Sequence, residues 1–161
     1  MTVSALRQQA LRLLARREHS RVEMAQKLSA SGRKSKEAKE STEEITAVLD
    51  HLEHTGLLSD QRMAEAYLRS HAARLGKARL RMNLRAKGVA AELIEQCLAH
   101  EEQGGVAMAS ESERALQVWQ SKFGQAPENP REWARQARFL QARGFSSDII
   151  RALLKNAESA S

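Results

Sequence analysis

The sequence predicts an all-α protein made of three tandem three-helix, helix-turn-helix-like repeats in an elongated curved array. Apolar residues make up 42% of the 161 residues and are rich in Leu and Ala, whereas aromatic residues amount to 4% and only two prolines occur. This composition favours helix over sheet, because strands prefer β-branched and aromatic residues. A Leu-x-Ala-x-Gly phrase also recurs three times, which predicts a repeated helical unit.

The repeat is clearest between the segments that begin at Lys77 and Trp133. The third copy of the phrase is formed by Leu28, Ala30 and Gly32. Leu, then a small Ala, then Gly is typical of a helix that ends at a left-handed glycine, so each copy predicts helix, tight turn, helix. Aligned without gaps, the first two segments are identical at seven positions: Ala78/Ala134, Arg79/Arg135, Leu84/Leu140, Ala86/Ala142, Gly88/Gly144, Ile94/Ile150 and Leu98/Leu154.

Capping signals predict where the other helices begin and end. Residues 20–23 (SRVE) and 41–44 (STEE) are predicted capping boxes of the form Ser-x-x-Glu, and residues 129–132 supply an N-cap asparagine followed by a proline at the first helical position. Gly56 and Gly76 are predicted helix stops. The predicted helices span residues 4–18, 21–31, 41–54, 60–75, 78–87, 90–100, 112–123, 131–143 and 146–157.

These helices group in threes along the chain. Residues 1–58 are predicted to form repeat 1, with a charged insertion at 33–40, and residues 59–100 to form the basic repeat 2. Residues 101–112 are expected to be a mobile linker before repeat 3 at 113–157. Units of this kind pack mainly with their sequence neighbours, which is why an elongated, curved array is expected.

The composition also restricts the cellular setting and the kind of partner. The single cysteine, Cys97, cannot form an internal disulfide, which favours a reducing compartment. The sequence shows no signal-peptide core and no apolar stretch of membrane-spanning length, so a cytoplasmic monomer without a membrane partner is expected. The net charge of +6 favours an anionic partner.

Positive charge is concentrated in the middle of the chain. Between residues 66 and 91 there are seven basic and no acidic residues, whereas residues 40–65 carry seven acidic residues and one arginine. Lys77, Arg81 and Arg85 are spaced by four, so they are predicted to line one helical face. The candidates for contact with a partner or DNA are Arg74, Lys77, Arg79, Arg81, Arg85, Lys87, Arg131, Arg135, Arg138 and Arg143.

Two interpretations of this charge pattern stay open. The basic and acidic helices could neutralise one another within the fold, or the basic face could bind an anionic polymer or a protein coated with one. Base reading by a helix after the turn is not expected, because that helix in repeat 2 carries Glu92 and Glu95 and no Lys or Arg.

No pattern of catalytic residues is found in the sequence. A phosphate-binding glycine loop, a nucleophile elbow and a cysteine pair are all missing, so neither an enzyme nor a cofactor is expected. His51 and His54 stand three apart, but no further ligand lies close in sequence, so no metal site is expected. Cys97 is predicted to lie in the core. Trp119 and the other aromatic residues are predicted to pack inside, with stacking on single-stranded bases as the alternative.

The chain resembles a known family, most specifically in its central run. Gly56-Leu57-Leu58-Ser59-Asp60, the following helix with Ala64 and Tyr67, and the run GKARLRMNLRAKGV at 76–89 are similar to the central region of the RecX family, bacterial regulators of the RecA recombinase. The resemblance covers nearly the whole chain. The insertion at 33–40 and the linker at 101–112 depart from it.

The resemblance implies a function that the residues alone do not. It implies a cytoplasmic, non-enzymatic modulator that binds the RecA nucleoprotein filament and mostly inhibits strand exchange, ATP hydrolysis and co-protease activity, within DNA repair and the SOS response. It also implies a curved rod of three-helix repeats that lies in the filament groove. The alternative is an independent, sequence-nonspecific protein that binds single- or double-stranded DNA and acts by competing for it.

Overall fold

The computed structural model describes residues 2–32, 42–103 and 109–160, and every regular element within these ranges is a helix. The all-α fold class predicted from the sequence is therefore confirmed. The helix ends lie within about three residues of those predicted, if the short 3-10 helix Ala72–Arg74 is counted with the helix before it. The α-helices are α1 (Val3–Arg16), α2 (Arg21–Gly32), α3 (Thr42–His54), α4 (Asp60–His71), α5 (Lys77–Ala86), α6 (Ala91–Gln103), α7 (Glu111–Lys122), α8 (Pro130–Ala142) and α9 (Ser147–Ala160).

Three separate hydrophobic clusters hold these helices in groups of three. We name the groups the first triplet (α1–α3), the second triplet (α4–α6) and the third triplet (α7–α9). Within each triplet every helix packs on both of the others. The leucine of the repeated phrase, at Leu28, Leu84 and Leu140, is fully buried in its own cluster each time. The phrase thus marks the middle helix of each triplet and its place in the core.

Side-chain caps begin the helices where the sequence predicts them. At the start of α2 the N–H of Glu23 donates to Ser20 Oγ at 3.0 Å, and the N–H of Ser20 donates to Glu23 Oε1 at 3.4 Å, which makes a capping box. Asn129 accepts from the N–H of the third residue of α8 at 2.8 Å. The other predicted box, at Ser41, and the charged insertion at 33–40 lie outside the described residues.

The glycines end helices as predicted, with one exception. Gly56, Gly88 and Gly144 have φ angles of +76°, +88° and +92°, in the left-handed region that ends a helix. Gly76 was predicted as a stop, and this is wrong: its φ is −80° and it stands immediately before α5 as the N-cap. The preceding helix instead ends at Arg74, through the 3-10 turn. The reason for a glycine at this position lies in its contact with the next triplet.

Hydrogen bonds at equivalent positions join each triplet to the next, with a side-chain donor at the first joint and a backbone donor at the second. At the first joint the hydroxyl of Ser20 donates to the carbonyl oxygen of Lys87. At the second joint the N–H of Gly76 donates to the carbonyl oxygen of Arg143 at 2.7 Å. Gly76 and Arg143 each follow their first-joint counterparts by 56 residues. The residue before a middle helix therefore binds the carbonyl at the end of the next middle helix in both joints.

A carboxylate from the next triplet completes each joint. The N–H of Arg21, the first residue of α2, donates to Asp60 Oδ1 at 2.7 Å. The N–H of Lys77, the first residue of α5, donates to Glu111 Oε1 at 3.0 Å. Asp60 and Glu111 are the first residues of α4 and α7. The acceptors that the first N–H groups of a helix lack within their own helix thus come from the next triplet.

Glycine is required at the second joint because two backbones touch there. A Cβ atom added to Gly76 would lie 2.3 Å from the carbonyl carbon of Gly144, and one added to Gly144 would lie 2.3 Å from Cβ of Arg79. At the first joint a Cβ atom on Gly88 would lie 2.3 Å from Cβ of Val22. The glycine of the repeated phrase therefore both ends a helix and admits the preceding triplet.

A buried arginine adds to the second joint. Arg114 of α7 donates to the carbonyl oxygens of Ala109 at 2.8 Å and Leu75 at 3.4 Å, which ties α7 to the segment before α5. Burial lowers the pKa of its guanidinium, while the carboxylates of Glu111 and Glu102 act in the opposite direction. The charge is retained because two carbonyl groups and two carboxylates surround it.

The expected linker at 101–112 is shorter than predicted. α6 continues to Gln103 and α7 begins at Glu111, and only residues 104–108 of the segment lie outside the described ranges. The end of α6 is held because Glu102 Oε1 lies 3.0 Å from Lys77 Nζ. A pairing with a residue so far along the chain could not be foreseen from the local composition.

Replacing Gly76 by Ala is expected to lower the free energy of unfolding by about 2–3 kcal/mol, because the added methyl group overlaps the backbone of Gly144. A φ of −80° suits alanine, so the cost is steric. Urea unfolding followed by far-UV circular dichroism measures the loss.

Gly56→Ala is the matched control for this variant. Nothing lies within 4 Å of a Cβ atom at Gly56, and its φ of +76° makes backbone strain the only cost, about 1 kcal/mol. Equal losses in the two variants would contradict a rigid joint at Gly76.

Candidate interaction surface

The predicted basic face of α5 is largely neutralised within the second triplet. Lys77 Nζ lies 3.0 Å from Glu102 Oε1. The guanidinium of Arg81 donates to the two carboxylate oxygens of Glu95 at 2.5 and 3.2 Å. Both acids belong to α6, which packs on α5. Of the two open interpretations, mutual neutralisation therefore holds for Lys77 and Arg81, whereas Arg85 remains exposed.

The pair of Arg81 and Glu95 also shifts the titration of its members. The hydrogen bond from Arg81 lowers the pKa of the Glu95 carboxyl, and the same bond raises the pKa of the Arg81 guanidinium. The two side chains are 42% and 55% exposed, so solvent screens their attraction. The pair therefore contributes at most about 1 kcal/mol to stability.

Two further candidate cations stand over aromatic rings. Lys87 Nζ lies 5.8 Å from the centroid of the Tyr67 ring, and Arg135 Cζ lies 5.4 Å from the centroid of Phe123. Arg135 also lies 3.6 Å from Glu132. Contacts of this kind hold a charge near a ring at a gain of about 0.5–1 kcal/mol. Arg135 is exposed in spite of these contacts, as are the candidates Arg79, Arg85, Arg131 and Arg138.

Arg74 and Arg143 come together with Lys122, a residue that was not predicted from the sequence. The three cations line a groove of about 410 Å³ between the 3-10 helix, α7 and α8. Phe139 forms part of its wall, with Lys122 Nζ at 5.6 Å and Arg143 Cζ at 5.1 Å from the ring centroid. We name this the junction groove. Its other described lining residues are the uncharged Ala73, Gln117, Val118 and Ser121.

The cations of the junction groove share a place at the ends of helices. Arg74 ends the 3-10 helix, Lys122 ends α7, and Arg143 follows α8 as its C-cap. A cation is favoured there because the carbonyl end of a helix carries partial negative charge. Three helix ends meet where the second triplet contacts the third, so their cations converge. Since no carboxylate is among the described lining residues, the groove attracts anions.

The histidines and the cysteine that the sequence analysis considered lie apart from the junction groove. No group of three or more His, Cys, Asp or Glu residues that could hold a metal ion occurs in the described part of the chain. His51 and His54 are exposed, and their neighbours Asp50 and Glu53 pair with an arginine at the start of α2. Cys97 lies in the core as predicted, and burial raises the pKa of its thiol. Among the described helices, none has the length and apolar character needed to cross a bilayer.

The fold and the surface together define a helical-repeat protein with a cationic groove, and comparison with known proteins gives its family. Residues 59–98 match the second three-helix domain of RecX, and residues 110–154 match the third. The chain belongs to the RecX family of regulatory proteins.

Individual relatives cover almost the whole chain. The regulatory protein RecX of Leptothrix cholodnii is 40% identical over 154 residues, which are 96% of this chain and 90% of the relative. That of Pseudomonas putida KT2440 is 43% identical over 155 residues, with coverage of 95% and 91%. The crystal structure of RecX from Lactobacillus salivarius has the same fold, with a TM-score of 0.75 at 20% identity over 98% of this chain and 97% of that one.

Glu95→Gln is expected to lower the free energy of unfolding at pH 7 but not in acid. A carboxyl with a pKa that is lower in the folded than in the unfolded state stabilises the fold above the unfolded value of about 4.3. This contribution is lost as the pH falls through the folded pKa. At low salt the wild type should therefore exceed the variant by up to about 1 kcal/mol at pH 7. The difference should vanish near pH 3, as measured by urea unfolding at both pH values.

The matched control is Glu92→Gln, which removes an exposed carboxylate from the same helix without touching the pair. The free energy of unfolding of this control should not show a loss at pH 7 that vanishes near pH 3. A difference for Glu95→Gln that is the same at both pH values would show that the ion pair does not form in solution.

Proposed function

We propose that the chain is a non-enzymatic modulator, mostly an inhibitor, of the RecA recombinase. It binds the RecA nucleoprotein filament and suppresses strand exchange, ATP hydrolysis and co-protease activity, as a cytoplasmic monomer within DNA repair and the SOS response. The observation that carries the proposal is the match to regulatory proteins named RecX, at 40–43% identity over at least 95% of this chain. RecA as the partner is the step that goes beyond those names.

The repeated joints support binding along a filament. We take the chain as repeat 1 at 1–58, repeat 2 at 59–100 and repeat 3 at 113–157. Successive repeats are joined by equivalent hydrogen bonds, from Ser20 and from Gly76. A chain of repeats joined in the same way presents its surfaces at regular intervals, which suits a partner that is itself a repeating polymer.

The junction groove is the part of the surface that we assign to this contact. Lys77 and Arg81 would have to give up their carboxylate partners in order to bind an external anion, at a cost that offsets the new contact. The three cations of the groove have no such carboxylate among the described lining residues. An acidic recombinase surface or a DNA phosphate would therefore gain most at the groove, where the guanidinium groups of Arg74 and Arg143 can bind two oxygens at once.

Charge reversal in the junction groove is expected to raise the protein concentration needed for half-inhibition of RecA-dependent ATP hydrolysis by about tenfold or more, because three attractive contacts become repulsive. A second triple variant on the exposed side of α1 changes the net charge by the same amount and should stay within about twofold of the wild type. The two variants are Arg74→Glu/Lys122→Glu/Arg143→Glu and Arg7→Glu/Arg12→Glu/Arg16→Glu.

Two results would contradict the assignment. Full inhibition by a groove variant that circular dichroism shows to be folded would remove the groove from the contact. Equal losses in both variants would mean that net charge, and not the groove, determines binding.

The alternative, an independent and sequence-nonspecific DNA-binding protein, is favoured by the net charge of +6 and by the cationic groove. If the protein makes about five phosphate contacts on a single strand, log affinity should fall with log salt at a slope of about −3.5. Fluorescence anisotropy with labelled single-stranded DNA between about 50 and 200 mM salt measures this slope without RecA. Tight binding with such a slope, at protein concentrations that also inhibit RecA, would support competition for DNA. Weak binding at the inhibitory concentrations would exclude it.

A further inference from the structure

The third triplet carries an apolar groove that the proposed function does not use. The groove lies between α7 and α9, is closed at one end by the loop after α7, and has a volume of about 1050 Å³. Its larger apolar lining residues are Leu116, Trp119, Ile149 and Leu153, which we call its floor. Leu116 is 43% exposed, one of the few large apolar side chains exposed in the described ranges. We name it the α7–α9 groove.

The second triplet has polar side chains at the corresponding place. α4 and α7 can be aligned through their N-caps, Ser59 and Ser110, since each accepts from the N–H of the third residue of its helix. α6 and α9 are aligned by the repeat itself, with an offset of 56 residues. On this alignment three polar residues of the second triplet are replaced by apolar ones in the third: Glu65 by Leu116, Gln96 by Ala152, and Glu101 by Ala157.

Two of these three replacements, Leu116 and Ala152, do not improve the packing of the third triplet, whereas Ala157 packs against its hydrophobic cluster. Leu116 gains little burial, and Ala152 is exposed. Exposed apolar residues that cluster in a groove mark an interaction site more often than a defect in packing. The third triplet therefore carries an apolar surface at this groove that is accessible to a partner.

Carboxylates accompany this apolar floor. Glu113 and Glu128 line the groove, and no Lys or Arg is among its described lining residues. The protein as a whole carries a net charge of +6, so the sign of the charge is reversed at this place. An occupant must therefore be apolar on one side and positively charged at its edges. An anionic membrane surface or a nucleic acid would be repelled by the carboxylates.

We propose that the α7–α9 groove binds an amphipathic, basic helix of a protein partner, with apolar side chains on the floor and Lys or Arg side chains at Glu113 and Glu128. Two turns of an α-helix about 10 Å wide and 11 Å long occupy roughly 900 Å³, which the groove accommodates. α7 and α9 flank the helix on both sides, in the helix-in-groove mode of recognition. This site does not depend on the RecA-directed role or on the junction groove.

The probe for this site is a synthetic amphipathic helix of about 18 residues made of Leu and Lys, with a Leu and Glu peptide of the same pattern as its counterpart. The full chain carrying Trp133→Phe keeps Trp119, at the groove, as its single tryptophan. The Leu and Lys peptide should change the Trp119 emission and bind at least about tenfold tighter than the Leu and Glu peptide. Equal affinities for the two peptides would overturn the charge argument and the proposal.

Leu116→Glu is expected to weaken binding of the Leu and Lys peptide by about tenfold or more, since it places a charge on the apolar floor. The matched control is Leu57→Glu, because Leu57 is also 43% exposed but lies outside the groove, and it should stay within about twofold of the wild type. Should Leu116→Glu fail to fold by circular dichroism, Ala152→Glu at an exposed position of α9 makes the same test.

The carboxylates are tested by Glu113→Gln/Glu128→Gln, which should weaken binding of the Leu and Lys peptide and reduce its salt dependence. The proposal is wrong if the groove variants bind the peptide as the wild type does, or if Leu57→Glu loses as much as Leu116→Glu. It is also wrong if the wild type sediments as a dimer and Leu116→Glu as a monomer, because a second copy of the chain then covers the groove.

Discussion

The backbone N–H groups at the start of a middle helix have no acceptors within that helix, and in two of the triplets the next triplet supplies them. Asp60 accepts from the first N–H of α2, and Glu111 accepts from the first N–H of α5. The carbonyl ends of α5 and α8 approach the same two places, so the negative end of one helix meets the positive end of another. At the second joint backbone groups bond directly to each other, so the two backbone segments approach closely there and glycine is required at Gly76 and Gly144.

The same joint determines where positive charge collects. Arg74 belongs to the second triplet, whereas Lys122 and Arg143 belong to the third, so the junction groove exists only while the two triplets are docked. The carbonyl of Arg143 is bound to Gly76, which holds the backbone of this residue while its side chain faces Phe139. Stability and recognition are thus coupled at one place, since a loss of docking would separate the cations.

Features with a local cause could be predicted from the sequence, and those with a distant cause could not. The helix starts at Ser20 and Asn129 depend on a cap three residues away, and both are present as predicted. Gly76 was taken for a helix stop because its real neighbour, Gly144, is 68 residues away in the chain. The spacing of Lys77 and Arg81 predicted their shared face correctly, but the carboxylates that neutralise them come from α6. Lys122 could not be predicted as a site residue from the sequence, because it becomes part of a groove only where three helix ends meet.

The third triplet differs from the other two at the N-terminus of its middle helix. α8 begins three residues earlier than the repeat would place it, with Asn129 as a cap within the chain and Pro130, which has no N–H, at the first position. The N-terminus of the middle helix, which contacts the next triplet in the first and second triplets, is therefore already capped within the chain in the third. Contacts made by the third triplet must use other surfaces. One such surface is the groove between α7 and α9. Leu116 of α7 stands there at the position that Glu65 occupies in α4, and its exposed side chain adds apolar surface that the packing of the triplet does not require.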